Sequence, residues 1–216
     1  MEIKNNSAVF ADARWRRGPQ AATVRHALAL PFVVRGPLLD VGGGDGTFAL
    51  LARDRYSIAA EVVDISSVAV HAAVERGIPA RVCDITNRLP FADGSFGTVC
   101  ALDVLEHLYD PLSLLLEMRR IGNVVVIAVP NFNFIVGRLV MLFGQIPFQS
   151  KPQRGHIYWF NYPVLMGMIR NAGMCVESIS YGYALRLGFV GRLIARYFPN
   201  AFADSFVVRL IPHSDE

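Results

Sequence analysis

Short β-rich runs alternate with helical patterns through the first 130 residues. The runs near 37–41, 58–64, 79–84, 96–102 and 123–129 are β-rich and of strand length. Between most of them, residues 45–55, 66–76 and 110–120 carry helical spacing. Ser66 and Ser67 suit a helix N-cap, and "DP" at 110–111 places proline where a first turn tolerates it. This alternation predicts an α/β fold, a parallel sheet with helices on both faces.

After residue 130 the pattern changes. "PNFNFIVGRLVMLFG" reads as a helical insertion after strand 5, and "QIPFQSKPQRGHIYW" as a loop; together, 131–160 form an expected insertion or lid. A helix over 161–172 ends at Gly173, a normal helix stop. Two further strands are expected at 174–183 and 203–211, with an amphipathic helix around 187–197 between them. Residues 1–30 are expected as a helical cap over the sheet's edge. With no internal repeat or clear linker, 1–216 reads as one domain.

Composition narrows the class. The chain is 53% hydrophobic and 18% charged, and its mean hydropathy of +0.35 is oilier than that of an average soluble domain. A membrane span still needs about 18 to 20 consecutive apolar residues, and the nearest candidate, 134–148, is interrupted by Arg138, Gln145 and Pro147. The N-terminus lacks the apolar stretch of a signal peptide. Cys83, Cys100 and Cys175 lie far apart without a CxxC pair, so no disulfide framework, zinc site or other metal is expected, and the expected compartment is a reducing cytoplasm. Net charge is +3, and the densest basic cluster, "RWRR" at 14–17, reads as a solvated helix entry rather than a nucleic-acid patch.

The chemistry starts at "LDVGGGDGTFA" (39–49). Its spacing is GxGxG at Gly42, Gly44 and Gly46, with Thr47 where a dinucleotide fingerprint has its third glycine, and no Gly-Lys-Ser/Thr follows. Asp40 and Asp45 bracket the turn with no basic residue close in sequence before Arg53. Carboxylates beside a pyrophosphate oppose the attraction that makes such turns bind anions. The turn therefore suits a ligand with a small cationic group, and a nicotinamide dehydrogenase conflicts with both spacing and charge. S-adenosyl-L-methionine, with an ammonium, a sulfonium and no phosphate, fits. Asp64 in "EVVDIS", Asp84 in "VCDIT" and Asp103 in "ALDVLEHL" end successive strands. With Asp40 they line the crevice in which open α/β sheets bind ligands.

The series "LLDVGGGDGTFALLA…VVDIS…CDIT…LPFADGSFGTVCALDVLEHLYDP" resembles class I S-adenosylmethionine-dependent methyltransferases over residues 36–130. The resemblance implies a Rossmann-like seven-stranded sheet in the order 3-2-1-4-5-7-6, the last-formed strand antiparallel. It implies S-adenosyl-L-methionine as cofactor and S-adenosyl-L-homocysteine as product. It assigns Gly42, Gly44 and Gly46, with Asp40, to the methionine end, and Asp64 with Ile65 to the ribose. Asp84 with Ile85 falls to adenine, and Asp103 to the wall near the methionine group. Two departures stand out: "GGGDG" replaces the common "GCGDG", and Gly97 occupies the usual acidic position after "SF", which is expected to weaken entry to that strand.

Residues 118–149 are similar to the MetW family, methyltransferase-like proteins linked to methionine biosynthesis, in the series R-I-G…PNF…R…G-x-x-P. Where that family continues with Trp-Tyr and Asn-Ile-His, this chain has "GHIYWF" (155–160). The resemblance implies an alternative role as a cofactor-binding partner or regulator of homoserine O-acyltransferase.

Methyl transfer needs a base only when the acceptor atom carries a proton. His107 in "VLEHL" is the first candidate, with an ordinary pKa suited to the task; His156 is the second. Tyr158, Trp159 and Tyr162 either shape an acceptor pocket or belong to the core. The helix in 186–198 has Leu185, Phe189, Leu193, Ile194 and Tyr197 on one side, with Arg186, Arg192 and Arg196 elsewhere. It is expected to pack on its own domain, with peripheral membrane contact as the lesser alternative. The expected acceptor is a small molecule, with a hydrophobic one left open by this helix and by 134–148.

Overall fold

The computed structural model describes residues 2–16, 18, 21–151, 154–182 and 188–213, with side chains from residue 8 onward except at 188–190 and 192. Seven strands form one sheet: β1 (Leu38–Val41), β2 (Ala60–Asp64), β3 (Ala80–Val82), β4 (Phe96–Leu102), β5 (Gly122–Pro130), β6 (Met174–Gly182) and β7 (Ser205–Pro212). Their order is β3-β2-β1-β4-β5-β7-β6, with β7 antiparallel to both neighbours. This is the order and strand direction expected above.

Two apolar layers clamp the sheet. On one face α5 (Pro111–Ile121) buries Leu114, Leu115, Met118 and Ile121, and α7 (Tyr162–Asn171) buries Leu165, Met168 and Ile169. Each such side chain is worth about 1.5–3 kcal/mol when fully buried. On the other face α2 (Val24–Ala29) and α3 (Thr47–Tyr56) contribute Ala29, Phe48, Ala49 and Ala52. The helix starts follow the sequence cues. Ser66 caps α4 (Ser67–Glu75), Asp110 caps α5 and Asn161 caps α7, each accepting a backbone N–H with its side chain.

Several expectations shift in detail. The strand expected over 79–84 shrinks to three residues at the sheet edge, because Asp84 folds back to accept from the backbone N–H (3.0 Å) and hydroxyl (2.6 Å) of Thr86. Gly97 does not weaken its strand. A Cβ there would lie 2.6 Å from the Arg35 carbonyl, so the missing side chain lets the 35–36 backbone close onto β4. The N-terminal helix α1 (Glu2–Trp15) does not cover the sheet's edge: it packs on α4, over the carboxyl ends of the strands.

The insertion forms α6 (Ile135–Leu142), and α8 (Gly188–Tyr197) and the short α9 (Pro199–Phe202) precede β7. In α8, Ala195 is buried while Leu193 and Tyr197 are exposed, so the presumed inward face is only partly inward. Leu185 and Arg186 lie outside the described residues, as do the side chains of Phe189 and Arg192. Among the described residues no helix is long and apolar enough to cross a membrane.

Candidate active site

The five parallel strands β1–β5 end on one side of the sheet, and the reversal of strand order at β1 opens a crevice there. The glycine turn fills its centre. Gly42 donates its N–H to Val63 across 2.7 Å. Gly42, Gly44 and Gly46 have φ of +67°, +58° and +74°, the left-handed region that L side chains avoid. Space is equally restrictive: a Cβ at Gly42 would lie 2.7 Å from Val104, and one at Gly44 would lie 2.0 Å from the Trp15 ring.

Asp64 ties this turn to the next helix. One carboxylate oxygen accepts the Gly44 N–H (3.0 Å) and the other the Ser66 N–H (2.8 Å). Burial pushes its pKa up against those two N–H groups. Ile65, the residue after it, is half-buried.

The acids bracketing the turn are not bare. Arg76 reaches from the end of α4 to within 2.8 Å of Asp45, and the Thr47 hydroxyl donates to Asp45 at 2.7 Å. Asp40 lies beneath Gly43, with one oxygen 3.4 Å from the Cys100 sulfur and the other without a hydrogen-bond partner among the described residues. Burial pushes its pKa up to about 7. One charge is therefore paired and the other partly suppressed near neutral pH, correcting the picture of two uncompensated carboxylates. The acid that meets the turn directly is Asp64. Sequence proximity could not reveal Arg76, which lies 31 residues from Asp45.

The remaining ligand candidates spread along the same rim. Asp84 turns on Thr86, and Ile85 packs against the core beside it. Asp103, just past β4, is held at φ +60° and both its oxygens face one Arg25 nitrogen, at 2.6 and 2.5 Å. A non-glycine residue in that conformation is uncommon and is tolerated best by Asp and Asn. Arg25 arrives on α2, whose start is closed by a reciprocal cap between Thr23 and His26.

The N-terminal helix supplies groups that sequence reasoning missed. Asp12 accepts from the Ser66 hydroxyl at 2.5 Å, Arg14 faces a cavity, and Trp15 lies on Gly44. "RWRR" stands at the end of α1 rather than at a helix entry: Arg14 and Arg16 are exposed, as expected of a solvated cluster, Trp15 is half-buried on Gly44, and Arg17 lies outside the described residues.

That cavity, about 730 Å³, opens between α1, α6 and the 3₁₀ turn Leu105–His107. Phe10, Phe132, Phe134, Val140 and Phe148 supply apolar wall, and Asp103, Glu106, His107, Arg154 and His156 the polar part. Among the pocket-lining residues none belongs to the glycine turn, which Trp15 covers. His107 Nδ1 lies 3.0 Å from the Gly155 carbonyl, which fixes Nδ1 as the protonated nitrogen. Its ring meets that of His156 edge-on at 5.0 Å. Burial pulls the His107 pKa down, and burial with the nearby His107 and Arg154 takes His156 down to about 4.

Glu106, absent from the sequence candidates, is fully buried, and neither carboxyl oxygen has a hydrogen-bond partner among the described residues. Burial, then Asp103, pushes its pKa up to about 8. Its 3.8 Å approach to His156 Nε2 is therefore a contact between neutral groups, not an ion pair. The available signal was an acid inside the apolar run "VLEHL". Tyr158 packs at a tilt on Phe160 and Tyr162 edge-on against Phe206, so both serve the core, while Trp159 is exposed beside Phe132.

No curated protein matches the sequence. Solved structures share the fold. A possible histamine N-methyltransferase from Thermotoga maritima superposes with a TM-score of 0.66 at 18% identity, over 98% of this chain and 99% of that one. Phosphoethanolamine N-methyltransferase 2 of Haemonchus contortus, in complex with S-adenosyl-L-methionine, gives 0.64 at 15% identity, over 96% of this chain and 57% of that one. Geranyl diphosphate C-methyltransferase of Streptomyces coelicolor A3(2) gives 0.55 at 15% identity, over 87% and 78%. A family model described as "Methyltransferase domain" matches residues 13–179, from the end of α1 into β6. The chain belongs to that methyltransferase-domain family.

Proposed function

We propose that the protein transfers the methyl group of S-adenosylmethionine to a small-molecule acceptor with an apolar body, seated in the cavity beside Asp103 and His107. The cavity carries this reading. Its volume falls within the range of about 300–1,000 Å³ usual for small-molecule sites, and an apolar wall that includes Phe10, Phe132, Phe134 and Phe148 faces many convergent polar and charged groups. The names of the structural neighbours, which include an amine and a prenyl diphosphate methyltransferase, support a small acceptor without fixing its atom.

The donor residues fit the cofactor. The glycine turn presents bare backbone from which the Trp15 indole must withdraw on binding, Asp64 retains lone pairs for ribose hydroxyls, and Asp84 with Ile85 suits an adenine edge. Asp40, beneath the turn, supports it rather than touching the ligand. Bound S-adenosylmethionine supplies a methyl group on a positively charged sulfur. The protein's task is then alignment, which can be worth about 7–11 kcal/mol, and exclusion of water by Phe132, Phe134 and α6. His107, with Nδ1–H held by Gly155, keeps the Nε2 lone pair to activate a protonated acceptor. The free Cys83, Cys100 and Cys175 support a cytoplasmic setting.

Titration calorimetry with S-adenosylmethionine and with NAD tests the cofactor, and a labelled-methyl screen of cell extract tests the acceptor. Uptake of NAD alone would overturn the reading.

A second reading rests on Leu139, Leu142, Phe143 and Ile146, which are exposed within the MetW-like stretch. On it, the chain docks on a homoserine O-acyltransferase. Mixing the two purified proteins and measuring acyltransferase rate tests this, and an unchanged rate with no complex removes it.

A further inference from the structure

We propose that Glu106, His107 and His156 form a divalent-cation site in the wall of the acceptor cavity, of the kind that suits Zn²⁺, Mn²⁺, Fe²⁺ or Co²⁺. The inference rests on the proposed function only in placing the acceptor beside the cation. One ligand atom from each of the three residues lies within 4.8 Å of the others. The second observation is Glu106 itself, fully buried, lining the cavity, with both carboxyl oxygens lacking a hydrogen-bond partner among the described residues. A buried carboxyl left so is costly unless something completes it.

The geometry is close to a binding arrangement. His156 Nε2 stands 3.8 Å from Glu106 Oε1. Ligands about 2.0–2.2 Å from a cation lie a little over 3 Å apart in a tetrahedral site, so small side-chain rotations close the set. His107 already has the support that metal-bound imidazoles need: Nδ1–H donates to the Gly155 carbonyl at 3.0 Å, orienting the ring and leaving Nε2 basic. Two imidazoles and one carboxylate favour borderline first-row cations over Ca²⁺ or Mg²⁺.

Three arginines also face this cavity and bear on its charge. Asp103 neutralises Arg25, and Arg154 lies 3.9 Å from the Phe148 ring centroid. Arg14 and Arg154 oppose a bare dication, so the preferred occupant of the open coordination position is an anionic oxygen of the acceptor. The role proposed for His107 then acts through the cation, which holds the acceptor's heteroatom at the methyl end of the cavity. The ligands come from two segments almost fifty residues apart, which is why cysteine spacing gave no hint of them.

The full chain, stripped with EDTA, is titrated with Zn²⁺ by calorimetry and with Co²⁺ by visible absorption. One equivalent should bind, with the Co²⁺ bands of a nitrogen- and oxygen-ligated ion. Glu106→Gln and His156→Ala should each weaken Zn²⁺ binding at least tenfold while S-adenosylmethionine affinity stays within twofold. His71→Gln, which removes the exposed pair with Glu75 on α4, should leave Zn²⁺ binding unchanged. No stoichiometric uptake by the wild type, or uptake lost only in His71→Gln, overturns the site. If Glu106→Gln fails to fold, the wild-type Co²⁺ spectrum and His156→Ala decide. Cation uptake without S-adenosylmethionine binding would defeat the proposed function and leave the site standing; the reverse would defeat the site alone.

Discussion

The two halves of the crevice are built on different principles. The cofactor side is a continuous chain of local devices: a strand end, three left-handed glycines, and Asp64 bonded to the N–H groups of Gly44 and Ser66. The acceptor side is assembled from segments distant in sequence, with Phe10 and Arg14 from α1, His107 after β4, Phe132 and Val140 from the start of the insertion, and His156 from its end. The first half is closed by hydrogen bonds and leaves few polar atoms open. The second leaves a fully buried acid with no hydrogen-bond partner among the described residues. A shared cofactor calls for constant local geometry, whereas an individual acceptor is accommodated by loops and added helices.

If this division holds, damage on the cofactor side should spread while damage on the acceptor side stays local. Asp64→Ala removes the acceptor of two buried N–H groups as well as the proposed ribose partner. It should lower kcat/KM by more than about 100-fold, with weaker cofactor binding by calorimetry and a reduced melting temperature. His107→Ala should lower kcat by about 100-fold while cofactor affinity stays within twofold. A proportional loss of affinity would erase the distinction between the halves.

Arg76→Ala sharpens the comparison without touching either ligand. It removes the guanidinium from the buried Asp45 carboxylate and should cost about 2 kcal/mol of stability in urea unfolding, discounted because Arg76 is partly exposed and Thr47 still donates to Asp45. An unchanged midpoint would mean that Thr47 suffices. The smallest effect concerns Asp40, whose folded pKa of about 7 lies above its ordinary value. The contribution of its protonated form is complete below about pH 4 and declines as pH rises through 7. Between pH 5 and 8 the wild type should therefore lose up to about 2 kcal/mol more than Asp40→Asn. Parallel pH profiles would show that the carboxyl titrates normally.

The same division governs what the sequence discloses. Strand order, the glycine turn and the acids after β1 to β4 are legible because each depends on a few adjacent residues and a fixed backbone conformation. Gly97 was misread because its requirement comes from the Arg35 carbonyl, which no local pattern records. The charge of the turn was misjudged for a similar reason, since Arg76 meets Asp45 only after α4 has formed. The cap's position was equally hidden: Asp12, Arg14 and Trp15 acquire their roles by docking on α4 and the turn. Glu106 was passed over because its significance lies in lacking hydrogen-bond partners among the described residues, a property of three-dimensional surroundings alone.

The placement of the two tryptophans has a practical result. Trp15 rests on the glycine turn and Trp159 beside Phe132 at the acceptor wall, so each half of the crevice contains one intrinsic fluorophore. Anything settling on Gly44 must share or take the indole's space. Emission from Trp159→Phe, which keeps Trp15, would thus report the nucleoside and that from Trp15→Phe the acceptor, and a stopped-flow trace would give the order in which they enter.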